Sequence, residues 1–186
     1  MSYQPLTRRV CLQDGPQTQI PSSALDPTVV LVEPYSPKFA PQICSWVPTQ
    51  QDLSMISSDV GPGLNARLLD DWIKDSLGGF VLKFKERPIA FAVASCNESR
   101  LPPGVCEICH LVVAPEHRRR YHGSFVLNWL ARVIVGSGYR AVVARVCVQN
   151  DPALQLMTYV RWLEVTGKME WAARPFHWFQ SPARSW

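Results

Sequence analysis

The sequence predicts a single α/β domain in which helices cover both faces of a mixed sheet. Its 186 residues are a normal length for one domain, and 47% of them are apolar, which allows a sizeable core. Helical and strand-like periodicities alternate along the chain, as they do in sheets covered by helices. Residues 141–148 (AVVARVCV) are almost all apolar, which is typical of a strand buried on both faces.

The predicted order is strand, two helices, three strands, helix, strand, helix and two strands. Pro34 ends the first strand, and Pro37 opens the first helix because proline suits the first helical position. The third helix begins near Gly123, and residues 48–63 are predicted to be a polar, turn-rich connection. The predicted strands are residues 28–33, 80–84, 89–94, 105–113, 141–148, 163–169 and 176–180; the other helices are residues 37–46, 64–73 and 151–162.

Residues 1–27 are predicted to be an irregular arm, with the domain itself spanning residues 28–186. The arm contains four prolines and many polar residues. It has no apolar secretory segment, and no run in the chain approaches the roughly 18–20 apolar residues of a membrane-spanning helix. We therefore expect a soluble, cytoplasmic protein with no membrane partner.

The charge balance argues against a nucleic-acid-binding protein. Lys and Arg exceed Asp and Glu by 19 − 15 = 4, without the dense basic stripe such proteins carry. One basic cluster, residues 117–120 (HRRR), stands out. Binding of nucleic acid by this cluster is an alternative that steep salt dependence would reveal.

The six cysteines are predicted to be reduced thiols rather than metal ligands. Cys106, Cys109 and His110 have the C-x-x-C-H spacing of covalent haem attachment. They lie inside an apolar alternating run rather than at a helix start, and a zinc site would need a second ligand pair. Free cysteine behaves as a small hydrophobe, so burial explains the motif without a metal.

The segment after the fourth predicted strand has the features of a pyrophosphate site. The strand ends at Val113, a basic loop follows, and a helix begins near Gly123. A helix start presents unpaired backbone N–H groups and the positive end of the helix dipole, which together favour phosphate. Three consecutive arginines beside it add positive charge and hydrogen-bond donors.

The same stretch, EICHLVVAPEHRRRYHG, resembles the acetyl-CoA-binding motif of the GCN5-related N-acetyltransferase superfamily, E-I-x-x-L-x-V-x-P-x-x-R-x-x-G-x-G. Seven positions match, and the resemblance covers about residues 28–180. It implies a single-domain, mainly antiparallel sheet with a splayed central strand pair. It also implies direct acetyl transfer from acetyl-CoA, as co-substrate and without a metal, to a small, amino-acid-like or peptide amine. The matching residues are Glu107, Ile108, Leu111, Val113, Pro115, Arg118 and Gly123.

The resemblance also implies the residues that bind the cofactor. Backbone groups on the strand would pair with the pantetheine arm, and those of the following loop would hold the pyrophosphate. An asparagine at the start of N-x-x-A would contact the arm. These residues are Leu111, Val112, Val113, Arg118, Arg119, Arg120, Tyr121, His122, Gly123, Ser124 and Asn150.

The catalytic residues that we expect are Glu107 as base and Tyr159 as general acid. Strand alternation predicts that Glu107 shares a face with Leu111 and that His110 packs on the opposite face. Met157 occupies the position where the family often has a tyrosine that acts as general acid and protonates the leaving thiolate. We therefore also consider Tyr159, two residues further on.

Two departures from the family pattern support an alternative, a catalytically degenerate protein that binds CoA or a protein partner without turnover. Tyr121 replaces the first motif glycine, and Met157 replaces the family's tyrosine. A third departure is Arg161, which replaces the glycine after the last helix. The acceptor is expected to contact residues 48–64 and the last two strands, whose aromatic residues we interpret as core. A monomer and a homodimer are both compatible with the sequence.

Overall fold

The computed structural model describes residues 30–58, 61–96, 101–171 and 174–182. The predicted N-terminal arm lies outside these residues. The strands are β1 Val30–Pro34, β2 Gly78–Phe84, β3 Arg87–Ser95, β4 Val105–Val113, β5 Ala141–Cys147, β6 Leu163–Trp171 and β7 Arg174–Gln180. The α-helices are α1 Ala40–Ser45, α2 Gln50–Ile56, α3 Ala66–Lys74, α4 His122–Gly136 and α5 Asp151–Tyr159, and 3-10 turns occupy Pro37–Phe39 and Pro115–His117.

The seven strands form one sheet in the order β1-β2-β3-β4-β5-β7-β6. Every neighbouring pair is antiparallel except β4 and β5, which run parallel. The prediction of a mixed, mainly antiparallel sheet is therefore confirmed. The single parallel pair lies in the middle of the sheet, where the connection through α4 joins its two strands.

Helices cover both faces of the sheet, as predicted. On one face, α4 packs on a core that includes Ala92, Ala94 and Ile108; we call this the α4 face. On the other, α1, α2 and α3 pack on a core that includes Phe91 and Val93; we call this the α1–α3 face. Alternate residues of β3 enter opposite cores, and the strand is accordingly apolar from Pro88 to Ala94.

Strand β4 contains a β-bulge at His110 that changes which face each later residue occupies. Val93 pairs with Cys109, yet Phe91 pairs with Val112, so one residue of β3 (Ala92) lies opposite two of β4 (His110 and Leu111). His110 has a positive φ of 52°. One extra residue in a strand reverses the alternation beyond it.

Two expectations that rested on simple alternation are wrong for this reason. Cys106 and Ile108 enter the core of the α4 face, which places Glu107 between them on the α1–α3 face. Beyond the bulge, Leu111 packs on the α4 face, opposite Glu107. His110 lies on the α1–α3 face with Glu107, rather than opposite it.

Helix α2 lies where we predicted only turns. The Thr49 side chain accepts a hydrogen bond from the backbone N–H of Asp52 (3.1 Å) and so caps the helix. Only Leu53 is fully buried, so the helix carries too little apolar periodicity to be recognised from sequence. No helix among the described residues is long and apolar enough to cross a membrane.

Candidate active site

The central opening of the sheet lies between β4 and β5. The two strands pair only from Val105 and Ala141 to Glu107 and Val143. Beyond that point β5 continues in pairing with β7, while β4 bends at its bulge and remains paired with β3. Among the described strands, none pairs with residues 108–113 of β4 on the side that faces β5. This splayed pair is the one the resemblance implied.

A buried ion pair closes the base of the opening. Glu107 occupies the last paired position, and its Oε1 lies 2.6 Å from Nε of Arg145 on β5. The Glu107 side chain is 7% exposed and that of Arg145 is 18% exposed. The Arg145 guanidinium also lies 5.4 Å from the ring centre of Trp178 on β7, on the α1–α3 face.

His110 is held rigidly at the bulge by two contacts. Its ring stacks on Trp72 of α3, with 3.8 Å between ring centres and 3° between ring planes. Its Nδ1 lies 3.1 Å from the carbonyl oxygen of Ile56 on α2. A carbonyl only accepts hydrogen bonds, so Nδ1 carries a hydrogen and Nε2 is the ring nitrogen that can accept a proton.

The last turn of α2 is tied to both sides of the opening. His110 on β4 bonds the Ile56 carbonyl, and Nδ2 of Asn150, which follows β5, donates to the Met55 carbonyl (2.9 Å). Oδ1 of Asn150 accepts from the backbone N–H of Ala153 (3.2 Å) and caps α5. Asn150 therefore joins three elements at the predicted site.

The loop after β4 is fixed by the Arg118 side chain. Nε of Arg118 donates to the Val113 carbonyl (3.1 Å), and its Nη2 donates to the Trp46 carbonyl (3.3 Å). This side chain is turned toward the protein, so its contribution to a ligand would come through its backbone. Arg119 and Arg120 are exposed and follow it directly.

The backbone turns sharply before α4. Arg119 and Tyr121 have positive φ values of 58° and 64°, and Tyr121 is the N-terminal cap residue in the left-handed region. Within the described part of the chain its side chain makes no capping hydrogen bond. The first N–H groups of α4 thus remain available to an anion. We call residues 118–124 the phosphate cradle.

Two residues at the start of α4 pack tightly. A Cβ added to Gly123 would lie 3.3 Å from Leu156 of α5, so a small residue suits this close approach. His122 is 4% exposed, and no described group bonds its Nδ1. Burial, together with the charges of His117 and Arg120, lowers the pKa of His122 to about 4, which keeps the ring neutral near pH 7.

Met157, which replaces the family's general acid, and Tyr159, the candidate for that role, occupy different surroundings. Met157 is buried in the core of the α4 face. Tyr159 is 60% exposed, and its ring centre lies 5.6 Å from that of Tyr121 at the phosphate cradle. Tyr159 therefore lies at the helix-start end of the site rather than beside the bulge of β4.

The C-x-x-C-H motif forms no shared metal site. Cys106 enters the core of the α4 face, while Cys109 packs on the α1–α3 face. Burial, with the nearby Cys96 and Glu107, raises the pKa of the Cys106 thiol to about 12, so it stays protonated. Among the described residues, no group of three or more potential ligands lies together, and all five described cysteines are free thiols.

Arg145 and Trp72 are site residues that the sequence reasoning missed. Arg145 is the one charged residue in the apolar run AVVARVCV, and that isolation was the available signal. Trp72 had been assigned to helix packing. Among the terminal aromatic residues with described side chains, Phe179 lies in the core as expected, whereas Trp178 contacts Arg145.

Comparisons with known proteins agree with this geometry. The sequence profile of the acetyltransferase (GNAT) family matches residues 46–158, more than half of the chain. Among curated proteins, none matches the sequence.

Solved structures share the fold at low sequence identity. A GCN5-related N-acetyltransferase from Kribbella flavida has a TM-score of 0.66 at 16% identity, over 85% of this chain and 100% of that one. The ribosomal-protein-S18-alanine N-acetyltransferase of Escherichia coli has a TM-score of 0.58 at 14% identity, covering 82% and 93%. The structure of yncA from Salmonella typhimurium with its cofactor acetyl-CoA has a TM-score of 0.60 at 13% identity, covering 82% and 92%.

Proposed function

We propose that this chain, which belongs to the acetyltransferase (GNAT) family, transfers an acetyl group from acetyl-CoA directly to an amine. One observation carries the proposal: β4 and β5 separate beyond Glu107 and Val143, directly beside the uncapped start of α4. This arrangement offers strand-edge backbone groups to an extended arm and helix N–H groups to a pyrophosphate.

The residues present fit acetyl-CoA. The β5-facing edge of residues 111–113 would bond the amides of the pantetheine arm, and the phosphate cradle would bind the pyrophosphate. When bound, acetyl-CoA supplies an acetyl thioester that an amine can attack. The exposed side chains of Arg119 and Arg120 would supply positive charge to the phosphates. The contact between Asn150 and the arm remains a prediction, because that side chain already joins α2 and α5.

The amine acceptor must lose a proton before it attacks, and two side chains on the α1–α3 face are candidates to remove it. Glu107 is the base predicted from the sequence. Its carboxylate is already engaged in the ion pair with Arg145, which leaves it less free to take a proton from an amine.

His110 is the second candidate base, favoured by a specific observation. Its Nδ1–H is held by the Ile56 carbonyl and its ring by Trp72, so Nε2 is fixed as the proton acceptor without further reorganisation. It lies three residues beyond the last paired position of β4, where the strands have separated. We assign the base to His110 and a positioning role to the ion pair of Glu107 and Arg145.

The acceptor would bind on the α1–α3 face, against the lining formed by Trp72, His110 and the ion pair. Flat aromatic surfaces beside a buried charge pair suit a small, amino-acid-like or peptide amine. The thiolate of CoA can leave without a general acid, and the exposed position of Tyr159 gives that residue little opportunity to act as one.

The alternative is a degenerate family member that binds CoA or a partner protein without turnover. The buried Met157 favours this alternative, because its side chain has no hydroxyl where the family often has a tyrosine that acts as general acid. A turnover measurement separates the two proposals, since a binding protein gives no acetylated product.

Calorimetric titration with acetyl-CoA tests the cofactor site. Saturable binding is expected for the wild-type protein, and the charge reversal Arg119→Glu/Arg120→Glu should weaken it at least tenfold because repulsion replaces attraction. Arg132→Glu is the matched control, since Arg132 is exposed on α4 away from the cradle, and should bind normally. Equal losses in both variants would contradict the site.

A screen of small amines, amino acids and short peptides with labelled acetyl-CoA tests catalysis. With an acceptor in hand, His110→Ala should lower kcat by about 10²–10⁴ and recover partly with added imidazole. Its affinity for acetyl-CoA should be unchanged. Full activity of His110→Ala, together with loss of activity in Glu107→Gln at normal folding, would return the role of base to Glu107.

A further inference from the structure

We propose that Tyr121 and Tyr159 form an aromatic platform on which the adenine ring of CoA stacks. The inference rests on the proposed function and extends it to the nucleotide end of the cofactor. It also gives a role to Tyr121, the residue that replaces the first glycine of the motif.

The platform consists of two neighbouring tyrosine rings on the surface. Tyr121 is 39% exposed and Tyr159 is 60% exposed, and they belong to the few large apolar side chains that reach solvent in the described chain. Their ring centres are 5.6 Å apart and their planes are tilted by 39°. Because the rings are not stacked face to face, ring surface remains available to a third aromatic group.

The position of the pair specifies which aromatic group would bind. Tyr121 directly precedes the first N–H groups of α4 and follows the exposed Arg119 and Arg120. An anion site adjoining an exposed aromatic surface matches a nucleotide, whose phosphates and base are close neighbours. A base stacks on an aromatic side chain whatever its sequence identity, so no base-specific hydrogen bond is required.

Backbone strain at Tyr121 supports a role for its side chain. A φ of 64° is uncommon for a residue other than glycine and is energetically unfavourable. Arg161, two residues after α5 ends at Tyr159, has a similar φ of 58°. Glycine would relieve both positions, so strain relief alone predicts the same response at each. Only Tyr121 carries a ring at the cradle.

The test compares ligands that share the phosphopantetheine arm but differ in whether they carry the adenosine group. Calorimetry would measure binding of CoA, 3′-dephospho-CoA and 4′-phosphopantetheine to the wild type, Tyr159→Ala and Tyr121→Gly. We expect each variant to bind CoA and dephospho-CoA about tenfold more weakly, with unchanged affinity for phosphopantetheine. Tyr159→Phe should bind as the wild type does, because it keeps the ring.

Arg161→Gly is the matched control, since it removes similar strain without removing a ring, and should leave CoA affinity unchanged. Unaltered CoA binding in both tyrosine variants, or an equal loss with all three ligands, would overturn the platform. The latter result would mean that the rings only fasten α5 to the start of α4. A wild-type protein that binds none of the ligands would overturn both this inference and the proposed function.

Discussion

The two segments of β4 differ in what their side chains do, although both belong to one sequence motif. Residues 105–107, the paired segment, are joined to β5 and end in the buried ion pair of Glu107 and Arg145. Residues 108–113, the open segment, bend at His110 and lead into the phosphate cradle. The paired segment holds the sheet together, and the open segment is where we propose that the cofactor binds. The family motif, which begins at Glu107, is therefore divided by the point at which β4 and β5 separate.

The largest expected effect tests the structural role of the paired segment. Arg145→Met should lower the free energy of unfolding by about 3 kcal/mol, because it leaves the Glu107 carboxylate buried and without its ion-pair partner. The double variant Glu107→Leu/Arg145→Met should recover most of this loss, since no charge remains buried. Urea unfolding at pH 7 measures both. A single variant as stable as the wild type would show that the pair contributes little.

A smaller effect concerns His122, where the cradle meets the helix. The folded pKa of about 4 lies below the ordinary value of 6.5, so the unfolded chain binds more protons between these pH values and stability falls as the pH falls. From pH 7 to pH 5 this group should remove about 2 kcal/mol of stability. Its effect is isolated by comparing urea unfolding of the wild type and His122→Phe at both pH values.

His122→Phe keeps a ring of similar size, and Nδ1 of His122 has no partner among the described groups, so the substitution should be tolerated at pH 7. The variant should lose less stability on acidification than the wild type. The same pH dependence in both proteins would show that His122 is not buried in its neutral form.

The smallest expected effect compares strain inside and outside the cradle. Arg161→Gly should raise the free energy of unfolding by about 0.5–1 kcal/mol, since relief of the left-handed backbone exceeds the entropy that glycine adds to the unfolded chain. Tyr121→Gly should gain less, because it also removes the ring contact with Tyr159. Thermal unfolding measures both. A larger gain at Tyr121 would show that its ring contributes nothing to stability.

Much of the fold follows from local sequence patterns. β4 has the bounds that were predicted, and the hairpin between β2 and β3 turns at the charged residues Lys85 and Glu86. The cradle was also predictable, because a strand end, a basic loop and a helix start are adjacent in the chain. Helix α2 was missed, since a short helix with one fully buried residue carries little periodic signal.

Local sequence patterns alone gave the order of the seven strands, the family motif and the position of the proposed phosphate cradle, because each depends on residues close together in the chain. The tertiary structure decided which side chains meet across the opening. The bulge at His110 reversed the alternation of β4, and Arg145 and Trp72 reached the site from distant segments. Such contacts depend on strand register and on packing between elements, which local periodicity does not encode.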